Sequence, residues 1–274
     1  MICSFGRYLI SINGSLNVCS SIFENWRAEE DQTELSNIDS ELHLEIDPSL
    51  ADLKLKDGWN DLINDNCPEA VYSREGKPMF RLRYSLNDNK VFISFAKEDY
   101  VSVKMGIQFG TMLALRDHCV GLHGVTILCG NEIIILSAPS GTGKTTLSKL
   151  LETYADAIVI NGDFALLSPT DDGLIYEPTP FCGSSGRSLN HRLKVNRVVF
   201  LEQCVDNSWK ELPVRDAVVR FMNNAFVPDW DGDIVQKIQK NIYNCINLIP
   251  INAFAFAPEK QAADVFIQNL NPAM

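Results

Sequence analysis

The strongest constraint on this chain is an apolar strand that runs into a glycine-rich turn and then directly into a helix. The strand is Glu132 to Ser137, the turn is Ala138-Pro139-Ser140-Gly141-Thr142-Gly143, and the helix opens on Lys144-Thr145-Thr146. The run follows the pattern G-x-x-x-x-G-K-[ST], with Ala138 in place of the first glycine. That departure adds one methyl group. Gly141 and Gly143 can take backbone angles that turn successive N–H groups inward. The helix N-terminus adds about half a positive charge. Together these features make a cradle for a polyphosphate. Lys144 is expected on the β- and γ-phosphates and the Thr145 hydroxyl on a metal ion. The expected ligand is a nucleoside triphosphate, ATP with Mg2+, held by Ala138, Pro139, Ser140, Gly141, Thr142, Gly143, Lys144, Thr145 and Thr146. A plain glycine-rich turn before an amphipathic helix would not account for Gly-Lys-Thr-Thr at the helix start.

The surrounding pattern extends the same architecture. Residues 101–274 read as an α/β unit. Val125 to Leu128 and Glu132 to Ser137 form two strands around the turn Cys129-Gly130-Asn131. A helix is expected from Lys144 to Tyr154, strands over Ala157 to Asn161, Phe164 to Ser168, Val198 to Leu201 and Ile251 to Phe256, and helices over Pro213 to Ala225, Asp229 to Cys245 and beyond Pro258. Residues 1–100 read as a smaller β-rich domain. Strands are expected near Arg7 to Ile12, Leu42 to Ile46, Pro78 to Tyr84 and Val91 to Phe95, the last two around the turn Asn87-Asp88-Asn89. Ala28 to Glu41 is acidic and reads as an exposed loop. Tyr100, Val103, Met105, Phe109, Met112, Leu113 and Leu115 recur at near-helical spacing. That helix is expected to lead into the second domain, with the boundary near residue 100.

Composition narrows the partners. A net charge of −11 argues against a nucleic-acid surface, which needs clustered Lys and Arg. The eight cysteines are scattered with no C-x-x-C pair, so a zinc site is not supported. Met1 to Ile12 carries Ser4 and Arg7 and lacks a secretory pattern. Reduced, mostly buried thiols in a cytoplasmic protein are the expectation. No apolar run reaches the ~18 residues of a membrane helix, so no membrane partner is expected. Self-association stays open.

A phosphoryl-transfer site also needs a carboxylate. Asp163, in Ile158-Val159-Ile160-Asn161-Gly162-Asp163-Phe164, follows a β-branched run that can carry it to the sheet edge beside the loop. The same residues equally fit a plain Asn-Gly-Asp hairpin turn. His123 stands just before the strand that precedes the loop strand. The segment Pro178-Thr179-Pro180-Phe181-Cys182-Gly183-Ser184-Ser185-Gly186-Arg187 is rich in hydroxyls and backbone donors, which suits contact with a phosphate or a peptide. It equally fits a surface loop. Cys182 has no base near it in the sequence.

Taken together, Leu122-His123-Gly124, two strands, Ala-Pro-Ser-Gly-Thr-Gly-Lys-Thr-Thr and a strand leading to Asp163 resemble the catalytic domain of HPr kinase/phosphorylase and its looser relatives. Pro180-Phe181-Cys182-Gly183 and the strand Val198 to Gln203 resemble later parts of the same pattern, and the likeness covers residues 120–270. The resemblance implies a P-loop fold of the phosphoenolpyruvate carboxykinase type. It implies that His123 lines the phosphate site, that Lys144 and Thr145 contact phosphate and magnesium, and that Asp163 is one carboxylate of an Asp-Asp pair that takes the proton from a serine hydroxyl. Gly162 stands where the first Asp of that pair would be. The metal-binding Glu of the true HPr enzymes has no counterpart near Phe181-Cys182-Gly183, so a double kinase and phosphorylase role is not supported. Asp163 and Thr145 are then the metal-contacting candidates.

The reading that follows is an ATP-dependent kinase acting on a serine of a small protein or peptide, with Lys144, Asp163 and His123 as its catalytic groups. The alternative is a nucleotide-responsive binding module without turnover, suggested by the missing carboxylates. Carboxykinase-type decarboxylation is disfavoured, because the further metal ligands of those longer enzymes are not evident.

Overall fold

The computed structural model describes residues 1–14, 16–27, 38–62, 67–85 and 89–270. Most of the acidic stretch expected as a loop, 28–37, and Asn87 and Asp88 of the expected turn lie outside the described residues. The chain is a mixed α/β protein with two multi-stranded sheets and, among the described residues, six α-helices. It divides into two compact units, Met1–Asp117 with Phe226–Ile238, and His118–Ala225 with Gln239–Met274.

The first unit is built on seven strands: β1 (Ile2–Phe5), β2 (Tyr8–Asn13), β3 (Ser40–Ile46), β4 (Gly58–Asp61), β5 (Glu69–Arg74), β6 (Lys77–Tyr84) and β7 (Lys90–Phe95). Their order across the sheet is β1-β2-β3-β7-β6-β5-β4. The pairs β2–β3 and β3–β7 are parallel and the rest antiparallel. A short helix, α1 (Asn17–Phe23), buries Cys19 and Phe23. The longer α2 (Tyr100–Ala114) is capped by Asp99, whose carboxylate accepts from the Ser102 amide at 3.0 Å. It lies against β3, β6 and β7. Gly106 and Gly110, one turn apart, let it come that close: a methyl at Gly106 would meet the Phe95 ring at 2.7 Å, and one at Gly110 would meet Ile93 at 2.5 Å. The helix therefore belongs to the first unit. The division falls at Asp117/His118 rather than near residue 100, because the apolar face of α2 covers the first sheet.

The second unit carries the glycine-rich loop. Its strands are β8 (Val120–Cys129), β9 (Glu132–Ser137), β10 (Ile158–Asn161), β11 (Phe164–Thr170), β12 (Gly173–Glu177), β13 (Leu193–Lys194), β14 (Arg197–Gln203), β15 (Ser208–Glu211) and β16 (Ile251–Phe256). The order is β13-β12-β11-β8-β9-β14-β16-β15, with β10 also on β8. Only β9, β14 and β16 run parallel to one another. These strands are nearly continuous apolar runs, as parallel strands covered on both faces must be. Four helices accompany them: α3 (Lys144–Tyr154), α4 (Val214–Asn224), α5 (Gly232–Leu248), which crosses from the first unit into the second, and α6 (Lys260–Leu270).

The core forms where α3 and α6 cover one face of the sheet. Leu147 and Leu151, four apart on α3, meet Ala262, Ala263, Phe266 and Leu270 of α6 over Ile134, Leu136, Val199 and Phe254. On the sheet, Phe254 stacks on Phe256 at 5.7 Å between ring centres and meets the edge of Phe266 at 5.4 Å. Phe200 meets Phe221 of α4 edge-on at 5.3 Å. Five of the eight cysteines are buried and all are free thiols. Burial pushes the Cys129 thiol up to about 11, so it packs as a small apolar group. No helix among the described residues is long and apolar enough to cross a membrane.

Phe254 is fully buried and touches three other aromatic rings. Phe254→Ala is expected to lower unfolding free energy by about 3–5 kcal/mol, read as a lower denaturation midpoint with unchanged slope in urea titration.

Candidate functional site

β9 ends at Ser137, and the chain turns through Ala138–Gly143 before α3 begins at Lys144. Gly141 and Gly143 have φ of 84° and 101°, in the left-handed region that favours glycine. At Gly143 space adds to the constraint, since a methyl there would meet the Phe256 ring at 3.0 Å. Ala138, the departure from the glycine pattern, is 1% exposed and belongs to the hydrophobic core. Its methyl group packs inward instead of narrowing the cradle. No side chain caps the start of α3, which leaves its first-turn N–H groups to an anion or to water. The loop thus fits a polyphosphate.

Lys144 is buried, and its Nζ donates to the carbonyls of Ala138 at 2.6 Å and Pro139 at 3.1 Å. Burial lowers its pKa from the usual lysine value, while the nearby Asp163 carboxylate pulls the other way. Thr145 and Thr146 are exposed at the loop mouth. Gln203, at the end of β14, donates from Nε2 to the Gly141 carbonyl at 3.2 Å.

Asn161-Gly162-Asp163 is not a hairpin turn. β10 and β11 both run antiparallel to β8 along the same edge, Ile158 opposite Leu128 and Leu167 opposite Val120. They form one line, with the register slipping by one residue between Val159 and Asn161. Gly124 of β8 donates its N–H to the Asp163 carbonyl at 3.0 Å. The interruption is held by the fully buried Asn161 side chain. Its Oδ1 accepts from the amides of Asp163 at 3.0 Å and Phe164 at 3.1 Å, and its Nδ2 donates to the Thr179 carbonyl at 3.3 Å and the Ser188 hydroxyl at 3.2 Å. The Asp163 carboxylate then lies 3.3 Å from Nδ1 of His123. The structure thus sets the Asp163 carboxylate against His123, and Asn161, which the sequence reading missed, had as its signal a lone polar residue closing a β-branched run.

The segment Pro178–Arg187 is not a plain surface loop. Pro178, Thr179, Pro180 and Phe181 are buried, with Phe181 edge-on to Phe164 at 5.4 Å. The rest folds back over the interruption. A methyl group on Gly162 would stand 2.0 Å from the Ser185 hydroxyl and 2.7 Å from the Cys182 carbonyl, and one on Gly183 would stand 2.8 Å from Cβ of Asp163. Arg187 closes the arrangement with an ion pair to Glu152 of α3. The bare α-carbon of Gly162, where the related pattern has an aspartate, is thus required by the packing.

Two cavities flank the glycine-rich loop. One of about 270 Å³ lies between Thr145, Ser148 and Glu152 of α3, Gly162, and Ser185 with Arg187. The other, about 500 Å³, is bounded by Thr142, Gly143, Thr146, Gln203, Cys204 and Phe256. Cys182 is partly buried at the edge of the covering segment.

No family model matches the chain. No curated protein matches it either. Among solved structures, the HPr(Ser) kinase/phosphatase from Coxiella burnetii is similar over 56% of this chain and 95% of its own, with 10% sequence identity and a TM-score of 0.32. A score at that level assigns neither family nor activity, so the chemistry rests on the residues above.

Gly162→Ala is expected to force the covering segment off the interruption at a cost of about 1–3 kcal/mol. Limited trypsinolysis checks it: cleavage after Arg187 should become faster than in the parent protein, with α3 and the sheet remaining intact.

Proposed function

We propose that this chain is an ATP-dependent kinase of the HPr-kinase-like type that transfers the γ-phosphoryl group to a serine hydroxyl of a small protein or peptide. The observation that carries the reading is the Asp163 carboxylate, fixed beside the phosphate loop, paired with His123 and close enough to act on the charge of Lys144. A strand–loop–helix anion cradle with an adjacent oriented carboxylate suits phosphoryl transfer, which depends mainly on positioning and electrostatics.

In this reading the loop amides and Lys144 hold the β- and γ-phosphates. The nucleoside end lies in the larger cavity beside Phe256 and Gln203, and the acceptor enters from the smaller one. Mg2+, held by Thr145 and Asp163 together with phosphate and water oxygens, would neutralise charge on the phosphates. Asp163 accepts the proton of the acceptor hydroxyl, and His123 keeps the carboxylate oriented. Lys144 leaves the carbonyls of Ala138 and Pro139 for the transferring group, which relieves the strain of burying an ammonium against neutral acceptors alone.

A second reading has one observation in its favour. The covering segment lies on Gly162 and Asp163 and is tied down by Arg187 and Glu152. A nucleotide that lifted this segment would make the protein a ligand-controlled binding module without turnover. Incubation with γ-labelled ATP and a library of serine-containing peptides separates the two. Peptide label that requires Lys144 belongs to the kinase, and its absence alongside firm ATP binding belongs to the module.

Calorimetry and transfer assays on variants test the roles. Lys144→Ala should weaken ATP affinity at least about tenfold, or ~1.4 kcal/mol, and abolish transfer. Asp163→Ala should keep nucleotide binding and lower transfer by roughly 10²–10⁴-fold. Full turnover by a well-folded Asp163→Ala protein would remove that carboxylate from the chemistry.

A further inference from the structure

One hydroxyl beside this site belongs to the covering segment itself. Ser185 is exposed, lines the smaller cavity together with Thr145, and rests on Gly162, the residue preceding Asp163. Its Oγ donates to the Cys182 carbonyl at 2.7 Å and accepts from the Arg187 amide at 3.1 Å. Both contacts are exposed to solvent, so they are weak restraints. The turn is bracketed by Gly183 and Gly186, with φ of 59° and 64°. Glycine on both sides lets the segment change direction without steric cost. A methyl group at Gly186 would meet nothing within 4 Å. Two residues on, the Arg187 guanidinium is half-exposed and engaged only at the surface with Glu152.

We propose that Ser185 is a phosphoryl acceptor, and that the protein phosphorylates its own covering segment. The inference rests on the kinase reading and adds a modification site to it. The covering segment pivots at its glycines and brings Oγ of Ser185 to the γ-phosphorus of bound ATP. The new bond is Ser185 Oγ–Pγ. The bond that breaks joins Pγ to the oxygen bridging the β-phosphate, and ADP leaves with that electron pair. The hydroxyl proton passes to the Asp163 carboxylate. The product dianion is bulkier than the hydroxyl now packed against Gly162, where an added methyl would stand 2.0 Å from Oγ of Ser185, and so disfavours the old position. The segment stays lifted, and Arg187 exchanges Glu152 for the phosphate, a stronger partner for a guanidinium. Asp163 and the smaller cavity are then open to an external acceptor. Ser185 thus works as the lock on its own acceptor site.

The test is intact-mass and peptide-mapping spectrometry of the full chain after incubation with ATP and magnesium. Expected is a gain of one phosphoryl group, mapped to Ser185, lost in Ser185→Ala and in Lys144→Ala and retained in Ser185→Thr. ATP binding by Ser185→Ala is followed by calorimetry. A mass gain mapped to any other residue overturns the assignment, as does an unchanged mass in a protein that phosphorylates the peptide library. A chain that binds ATP and modifies neither itself nor the library overturns the kinase reading and this inference together. If Ser185→Ala does not fold, mapping of the parent protein and of Ser185→Thr decides alone.

Discussion

The second unit turns on one buried carboxamide. Asn161 contributes hydrogen bonds in two directions: forward along its own strand to Asp163 and Phe164, and across to Thr179 and Ser188 of the segment that folds over it. A buried polar group left unmatched costs about 1–3 kcal/mol, so the geometry that satisfies this side chain is strongly selected. In satisfying it, the strand breaks at Gly162, Asp163 turns beside His123, and the Pro178–Phe181 stretch is drawn inward. The catalytic candidate and its cover are therefore positioned by the same side chain.

Lys144 depends on a second constraint. An ammonium out of water needs acceptors, and here it finds the carbonyls of its own loop. These neutral contacts only partly compensate its burial, as the downward pKa shift records. The loop thus holds its ammonium against neutral acceptors alone. The Asp163 carboxylate works against that shift and supports the lysine's charge. Cradle, cation and carboxylate form one electrostatic unit on one sheet edge.

Much of this was legible in the residues, and the reasons differ by element. The strand–loop–helix core could be read because Ile133 to Leu136, the two glycines and the Leu147/Leu151 spacing are local signals, and local signals survive folding. The hairpin reading of Asn-Gly-Asp failed because turn propensity does not say which strand lies alongside, and here β8 captures both β10 and β11. The helix Tyr100 to Ala114 was visible, but its allegiance was not. Gly106 and Gly110 make sense there only once the Phe95 and Ile93 side chains that require them are in place. β13 and β15 were missed because they are short and polar and exist only through pairing with β12 and β16. Asn161 was overlooked for a similar reason: its partners come from a segment 18 to 27 residues away.

The one-residue slip between Val159 and Asn161 also acts as a phase setting. Side chains alternate along a strand, so an added residue exchanges inward and outward for everything downstream. Val159, ahead of the slip, joins the core beneath α3, while Asn161 and the residues after it follow the other parity along β8. Insertions or deletions are therefore not equivalent along this edge. A change in length upstream of Ile158 alters only a connection, whereas a one-residue deletion at Ile160 would remove the irregularity that lets Val159 and Asn161, two apart in sequence, face opposite ways. The chemistry of this chain is written in the strand's frame as well as in its letters.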